Sequence, residues 1–139
     1  MFGVQVKQIS EIQHDFSDAE TILDNHDRGN ERVSYLAQPF HPAVLRLLKQ
    51  TIAAAHEAGI KAAMCGELAG TPSAAPILLG LGLDEFSMAA SAIPPVKRVI
   101  RGTTLEDCRA LAEKALANTS YKQTDALVKA WMAGHFPDK

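Results

Sequence analysis

The clearest hydrophobic pattern in the chain lies between Pro42 and Gly59. Apolar or half-apolar residues recur there at helical spacing: Val44, Leu45, Leu47, Leu48, Ile52, Ala55 and His56. Intervals of three and four positions place most of these side chains on one face of a helix. Pro42 suits the first turn, and Gly59 suits the position after the last one. The segment is therefore predicted to be an amphipathic helix with one buried face.

Two short apolar runs follow, and each of them predicts a β-strand. The runs are Ile60–Cys65 and Asp84–Met88, and between them Pro72–Leu81 is predicted to form a helix with Thr71 as its N-cap. A strand, a helix and a second strand in this order form a βαβ unit, in which the two strands are parallel and the crossover is right-handed. The predicted fold class is therefore α/β.

The remaining elements are mostly helical. Downstream, the pattern predicts a rigid turn at Ile93-Pro94-Pro95 and a short helix at Val96–Arg101. A second helix is predicted to begin at a Thr103 or Thr104 cap and to run to about Ala117. A last helix is predicted at about Tyr121–Met132, ending at Gly134. Upstream, it predicts a strand at residues 4–9, a helix within residues 10–27 and a turn at residues 28–30. The predicted order from Pro42 is α-β-α-β-α-α-α.

The composition is that of a soluble globular protein and argues against membrane and nucleic-acid-binding classes. The 139 residues are 47% apolar and 22% charged, which fits one globular domain with a real core. A run of 18 apolar residues is absent from the sequence, and its start does not resemble a signal peptide, so we expect a cytoplasmic protein without a membrane span. The formal net charge is −2, and acidic residues directly follow the densest basic group, Lys97, Arg98 and Arg101. Nucleic-acid binding therefore has little electrostatic support.

Cys65 is the best single candidate for chemistry. It ends a predicted strand and precedes a loop flanked by Gly66 and Gly70, at the strand edge where parallel α/β folds bind ligands. A thiol there can donate or accept a proton, but an unpaired cysteine is also a common small core residue. The glycines either let the backbone approach an anion or simply form a tight turn. Cys65 and Cys108 form no CxxC pair, so neither a zinc site nor a disulfide is expected.

Five blocks of sequence resemble one known family. They are DRGNERVSYL, HPAVLRLL, MCGELAG, the PILLGLGLDEFSM run and IPPVKRVIRG, in that order between about Asp27 and Ala117. They resemble the phosphoenolpyruvate–protein phosphotransferases, enzyme I of the bacterial sugar phosphotransferase system, in the last part of the phosphoenolpyruvate-binding barrel. The resemblance divides the chain into a divergent N-terminal segment, residues 1–26, and a C-terminal barrel segment, residues 27–139.

The resemblance implies a fold and an activity. The fold would be a partial (β/α) TIM-type barrel, comprising its last two or three strands and the C-terminal helices. Intact members move phosphate from phosphoenolpyruvate to a protein histidine with Mg²⁺. In them the cysteine that matches Cys65 protonates the methylene carbon of enolpyruvate, and the arginine that matches Arg28 binds the substrate phosphate.

The resemblance also implies that several site residues are missing. An ungapped register places Ser17 at the family's substrate asparagine and Asp18 at its Mg²⁺-binding aspartate. Asp18 is either that ligand or a helix N-cap, and the remaining metal ligands have no counterpart, so no metal-binding residue is assigned. We therefore expect weak phosphoenolpyruvate binding and weak or no activity from the chain alone.

A sheet of two or three strands also leaves both of its edges unpaired. Helices could cover the edges, two chains could form a homodimer, or another barrel segment could complement the sheet. Two functions stay open: a phosphotransferase segment that works when it is complemented, and a catalytically silent remnant that serves as a dimerisation or interaction module. A third interpretation assigns residues 1–26 to a truncated or shifted reading frame.

Overall fold

The computed structural model describes residues 39–137. This part is a mixed α/β fold, mostly helical, with one two-stranded parallel sheet. In chain order the elements are α1 (Pro42–Glu57), β1 (Ala63–Met64), α2 (Ala75–Leu81), β2 (Glu85–Phe86), α3 (Ile93–Arg101), α4 (Leu105–Ala117) and α5 (Tyr121–His135). This confirms the predicted order α-β-α-β-α-α-α. The elements predicted upstream, at residues 4–9, 10–27 and 28–30, lie outside the described residues.

Helix α1 follows the sequence prediction closely. His41 is its N-cap, where the Nδ1 atom accepts a hydrogen bond of 3.2 Å from the Ala43 amide, and Pro42 occupies the first turn. Leu45, Leu48 and Ile52 are all buried, as the spacing requires. The chain leaves the helix through Gly59, whose φ of 71° lies in the left-handed region.

The two strands are parallel, as predicted, but much shorter. Ala63 pairs with Glu85 and Met64 with Phe86, and the Ser87 amide donates to the Met64 carbonyl at 2.8 Å. The ladder begins where the amides of Asp84 and Glu85 both donate to Ala62. The apolar runs therefore predict strands that are too long. An apolar run indicates which residues are buried, whereas a strand extends only as far as it has a hydrogen-bonding neighbour. Among residues 39–137, each strand has the other as its neighbour in the sheet.

Thr71 is not the N-cap of α2, contrary to the prediction. Its hydroxyl donates to the Glu67 carbonyl at 2.9 Å, and its own carbonyl accepts from the Ala74 amide at 3.0 Å. A turn thus replaces the first part of the predicted helix, which begins at Ala75 without a side-chain cap. Local hydrogen bonds of this kind compete with helix initiation.

Two further boundaries differ from the predictions. The pair Pro94-Pro95 does not form a separate turn but lies in the first turn of α3, where a missing N–H costs nothing. A short 3₁₀ turn, Ala90–Ala92, precedes it. Gly134 does not end the last helix, which continues to His135.

The main core lies between α2 and α4. Ile77 and Leu78 of α2 and Leu111 of α4 are almost completely buried. Cys108 is buried in α4, and its thiol donates to the Thr103 hydroxyl at 3.5 Å. Burial raises the pKa of this thiol. Cys65 is exposed, and both cysteines are free.

A second apolar cluster joins β2 to the C-terminal helices. Ala75, Val96 and Val99 form its buried part, and residues packed against it are Phe86, Met88, Ile100, Met132 and Phe136. Near the end of α5, Met132 packs on this cluster, and the Trp131 ring stacks on His135 with centroids 3.9 Å apart. Within residues 39–137, every helix is too short or too polar to span a bilayer.

Asp84 ties three elements together at the start of the sheet. Its Oδ2 atom accepts from the Ala62 amide at 2.8 Å and lies 2.7 Å from Nε2 of His56 on α1. The hydrogen bond from the Ala62 amide, then that from His56, lowers the pKa of the Asp84 carboxyl. Lys61 and Glu85 form an exposed ion pair of 2.9 Å beside it.

The lowered Asp84 pKa predicts a pH dependence of stability. The unfolded chain binds the proton more readily than the folded chain, so the contribution is fully present above the unfolded value, about 3.9. It is lost as the pH falls through the folded pKa. We expect Asp84→Asn to remove this component and so to flatten the decline in unfolding free energy below about pH 4. Urea titrations between about pH 2.5 and 6 measure it.

Glu57→Gln is the matched control for this prediction. Glu57 is exposed at the end of α1, one residue after His56. Its variant should retain the parent pH profile because, within residues 39–137, the Glu57 carboxylate forms no ion pair, whereas that of Asp84 lies 2.7 Å from His56. An unchanged profile for Asp84→Asn would contradict the assignment of the acid sensitivity to Asp84.

Candidate functional site

A groove opens at the carboxyl ends of both strands. Its volume is about 540 Å³, and its walls come from the loop after β1 and the segment after β2: Gly66, Glu67, Gly70, Thr71, Ser87, Met88, Ala89 and Ala92. The parallel register brings the two walls together, because Met64 pairs with Phe86 and both chains then leave the sheet at the same edge. This is the edge at which parallel α/β folds bind ligands.

Glycines shape the loop wall of this strand-end groove. Gly66 has a φ of 99°, a conformation that side chains strongly disfavour. The Gly70 amide then donates to the carbonyls of Gly66, at 3.3 Å, and Glu67, at 3.1 Å, which closes the loop. A Cβ on Gly70 would lie 3.3 Å from that of Ala92, so the loop packs closely on the segment after β2. Turn geometry and close packing therefore account for both glycines.

Cys65 lies where the sequence predicts it. It follows the last residue of β1 and directly precedes Gly66, and its side chain is exposed. Cys65 therefore lies at the same strand end as the groove, next to its wall at Gly66, but it is not one of the eight residues that line the groove. Arg28 and Asp18, the other two positions considered for the site, lie outside the described residues, so the structure neither joins them to Cys65 nor separates them from it.

Ser87 is the site residue that sequence reasoning missed. It follows β2 directly, as Cys65 follows β1, and it lines the strand-end groove. Thr71 also lines the groove, but its hydroxyl is engaged with the Glu67 carbonyl. The apolar run alone does not identify it, because the predicted strand continues to Met88. It follows from the register, in which Met64 pairs with Phe86 and the next residues, Cys65 and Ser87, are neighbours.

The described residues contain no cluster of metal-binding side chains. Within residues 39–137, His, Cys, Asp and Glu side chains do not come together in a group of three that could hold a metal ion. Mg²⁺ is usually held by one or two protein carboxylates together with substrate phosphates and water, so we assign no magnesium ligand among these residues. Asp18, the one candidate ligand in the sequence, falls outside this part of the chain.

Comparison with known proteins identifies the family. A family model described as PEP-utilising enzyme, PEP-binding domain matches residues 21–105, more than half of the chain. This chain belongs to the PEP-utilising enzyme family. The match includes both strands, the loop between Cys65 and Gly70, and Ser87, so the strand-end groove is part of the family's PEP-binding domain.

Within this family, the most similar curated proteins share one description. The phosphoenolpyruvate-protein phosphotransferase of Haemophilus influenzae is 46% identical over 106 residues, which cover 76% of this chain and 18% of the relative. The Bacillus subtilis protein of that description is 50% identical over 103 residues, covering 74% of this chain and 18% of the relative. The chain therefore spans less than a fifth of the length of these relatives. The resemblance to enzyme I is confirmed.

Proposed function

We propose that the chain is a C-terminal segment of a phosphoenolpyruvate-dependent protein-histidine phosphotransferase of the sugar phosphotransferase system. The observation that carries this proposal is the parallel pairing of β1 and β2, which opens the strand-end groove at the edge that Cys65 occupies. The named relatives support the reaction class. The cytoplasm, where this system takes up its phosphate donor, is the proposed location.

In this proposal Cys65 acts as the acid in the second half of the reaction. Once the phosphoryl group has left phosphoenolpyruvate for a histidine of another domain, an enolate of pyruvate remains in the groove. The S–H bond of Cys65 breaks, a C–H bond forms at the methylene carbon, and pyruvate and a thiolate result. Arg28 is proposed to bind the phosphoryl group through its forked guanidinium. Mg²⁺ would neutralise charge in intact relatives, but no step is assigned to it here.

The sheet is proposed to be the last part of a (β/α) barrel. Its two strands are two residues long and leave one edge of each without a neighbour among the described residues. Unpaired edges of this kind accept further strands, and a barrel closes them completely. We therefore propose that the chain works with a complementing barrel segment or with a second copy of itself.

A second candidate function is a silent interaction module. Three large apolar side chains are half exposed: Leu47 on α1 (56%), Ile93 at the start of α3 (48%) and Leu105 at the start of α4 (50%). Exposed apolar side chains contribute to a contact surface where they join into one continuous patch. This function needs a partner but no chemistry, so the two candidates give different results in one experiment.

The deciding experiment is complementation. The Haemophilus influenzae relative, with its matching segment deleted, is mixed with this chain in D₂O containing pyruvate and Mg²⁺, and methyl deuteration is followed by NMR. We expect exchange in the mixture well above that of either chain alone. Only in an assembled site would the Cys65 thiolate remove a methyl proton from pyruvate, giving thiol and enolate, and return a deuteron after the thiol has exchanged with D₂O. Sedimentation of the same mixture measures assembly.

The outcomes separate the two functions. Assembly with exchange supports the phosphotransferase segment, whereas assembly without exchange contradicts it and supports the interaction module. A mixture that neither assembles nor exchanges overturns both proposals, provided that the chain itself is folded by circular dichroism.

A further inference from the structure

A second groove lies along α3, separate from the strand-end groove. Its volume is about 610 Å³, and it is lined by Pro94, Lys97, Arg98, Arg101, Gly102 and Phe136. The two grooves have no lining residue in common. The groove is shallow and open to solvent, so a ligand there would contact the protein on one side.

The aromatic wall of this α3 groove has a fixed position. A Cβ on Gly102 would come within 2.6 Å of Cε1 of Phe136, so the ring contacts the helix end because residue 102 lacks a side chain. Phe136 also packs against the Val96 and Val99 cluster, and its amide donates to the Met132 carbonyl at 2.7 Å. The ring is thus held from two sides and needs little ordering when a ligand arrives.

The charged wall carries three cations on adjacent turns. Lys97 and Arg101 are four residues apart and Arg98 and Arg101 three, so all three line one side of α3. Within residues 39–137, none of them forms an ion pair or a side-chain hydrogen bond, whereas Lys61 and Lys129 pair with carboxylates at 2.9 and 2.7 Å.

The acidic residues that follow in sequence do not neutralise this wall. Asp107 turns back to the start of α4, where its carboxylate accepts from the Thr104 hydroxyl at 2.6 Å. Cations in the last turn of a helix also stabilise the helix end, which explains Arg98 and Arg101. This helix-end effect does not explain the third cation, Lys97, or the Phe136 ring that also lines the groove.

We propose that the α3 groove binds a small organic phosphate that carries a planar ring. Guanidinium groups contact phosphoryl oxygens through paired donors, and a planar ring packs on Phe136 and Pro94. The short groove, walled by one helix and one ring, suits a small molecule better than an extended peptide. A nucleoside diphosphate has the required chemistry, and ADP serves as the probe.

Calorimetric titration of the 139-residue chain with ADP tests this inference. We expect one saturable site per chain and quenching of Trp131, the single tryptophan, whose ring centroid lies 6.4 Å from that of Phe136. Arg98→Gln with Arg101→Gln should weaken binding by about tenfold or more, because charge-assisted hydrogen bonds are lost. Arg109→Gln, an exposed arginine of α4, should change it by less than about twofold.

Further probes separate the ring from the phosphates. Phe136→Leu should weaken ADP but not pyrophosphate, and the Arg98 and Arg101 variant should weaken both. Absence of ADP binding at millimolar concentration, or equal loss in Arg109→Gln, overturns the proposal. So does binding of an acidic hexapeptide in place of ADP, which would mark a peptide site. ADP binding that phosphoenolpyruvate displaces would place it in the strand-end groove and also overturns it.

Discussion

Replacing Gly80 by alanine is expected to destabilise the described part of the chain strongly. Gly80 lies in α2, where it faces the backbone of α4 without an intervening side chain. A Cβ there would overlap the carbonyl group of Cys108 and lie 2.8 Å from Cβ of Ala112. Backbone atoms cannot rotate away as a side chain does, so the two helices must separate.

The expected cost exceeds the usual range for overpacking, about 1–3 kcal/mol. Separation of α2 from α4 would also loosen the packing of Ile77, Leu78 and Leu111, which form the most buried part of the core. A loss above about 3 kcal/mol is a large share of the stability of a domain of this size. Urea unfolding followed by circular dichroism measures it, with Tm as a second readout.

Gly134→Ala is the matched control for Gly80→Ala. Gly134 also lies inside a helix, α5, but a Cβ there would meet no atom within 4 Å. Alanine should therefore leave stability unchanged or raise it by up to about 1 kcal/mol, through the better helix propensity of alanine. Similar effects of the two substitutions would contradict the close approach of α2 and α4.

The helices could be predicted because their signals are local. The apolar spacing of α1 and the hydroxyl of Thr104 act within one or two turns, and both predictions are confirmed: Leu45 is buried, and the Thr104 hydroxyl accepts from the Asp107 amide. The parallel strand pair could also be predicted, since a helix between two apolar runs leaves few other arrangements.

The strand ends and the start of α2 could not be predicted, because they depend on distant partners. Where the ladder stops depends on which amides reach across it: the Ser87 amide reaches Met64, and no further pair extends β2. The Thr71 hydroxyl can either cap a helix or donate a hydrogen bond to the Glu67 carbonyl, and the local sequence is compatible with both. Tertiary context selects the second.

The candidate site also contains one residue that could be predicted from local sequence and one that could not. The position of Cys65 at a strand end follows from the apolar run before it, whereas the place of Ser87 beside it depends on the register of two strands that lie 20 residues apart in sequence. A register shift of one residue would turn a different side chain toward the groove. Cys65 could therefore be predicted from the sequence, whereas its neighbour Ser87 is known only from the strand pairing.

Replacing Cys65 by alanine is expected to abolish most of the exchange in the complemented site. The thiol is the proposed proton donor to the methylene carbon, and loss of a positioned acid or base typically costs about 10²–10⁴-fold in rate. Phosphoenolpyruvate binding should change by less than about twofold, because Cys65 is proposed to contact only the carbon that accepts the proton. The rate of methyl deuteration and a separate phosphoenolpyruvate titration check the two expectations.

Stability distinguishes lost chemistry from lost structure in this variant. Cys65 is exposed, so Cys65→Ala should unfold within about 0.5 kcal/mol of the parent chain. Ser91→Ala, an exposed change near the same groove but outside its lining residues, should leave the exchange rate intact. Exchange in Cys65→Ala within about tenfold of the parent would assign the proton to another group. Ser87, which lines the groove beside the same strand end, would then be the first to replace.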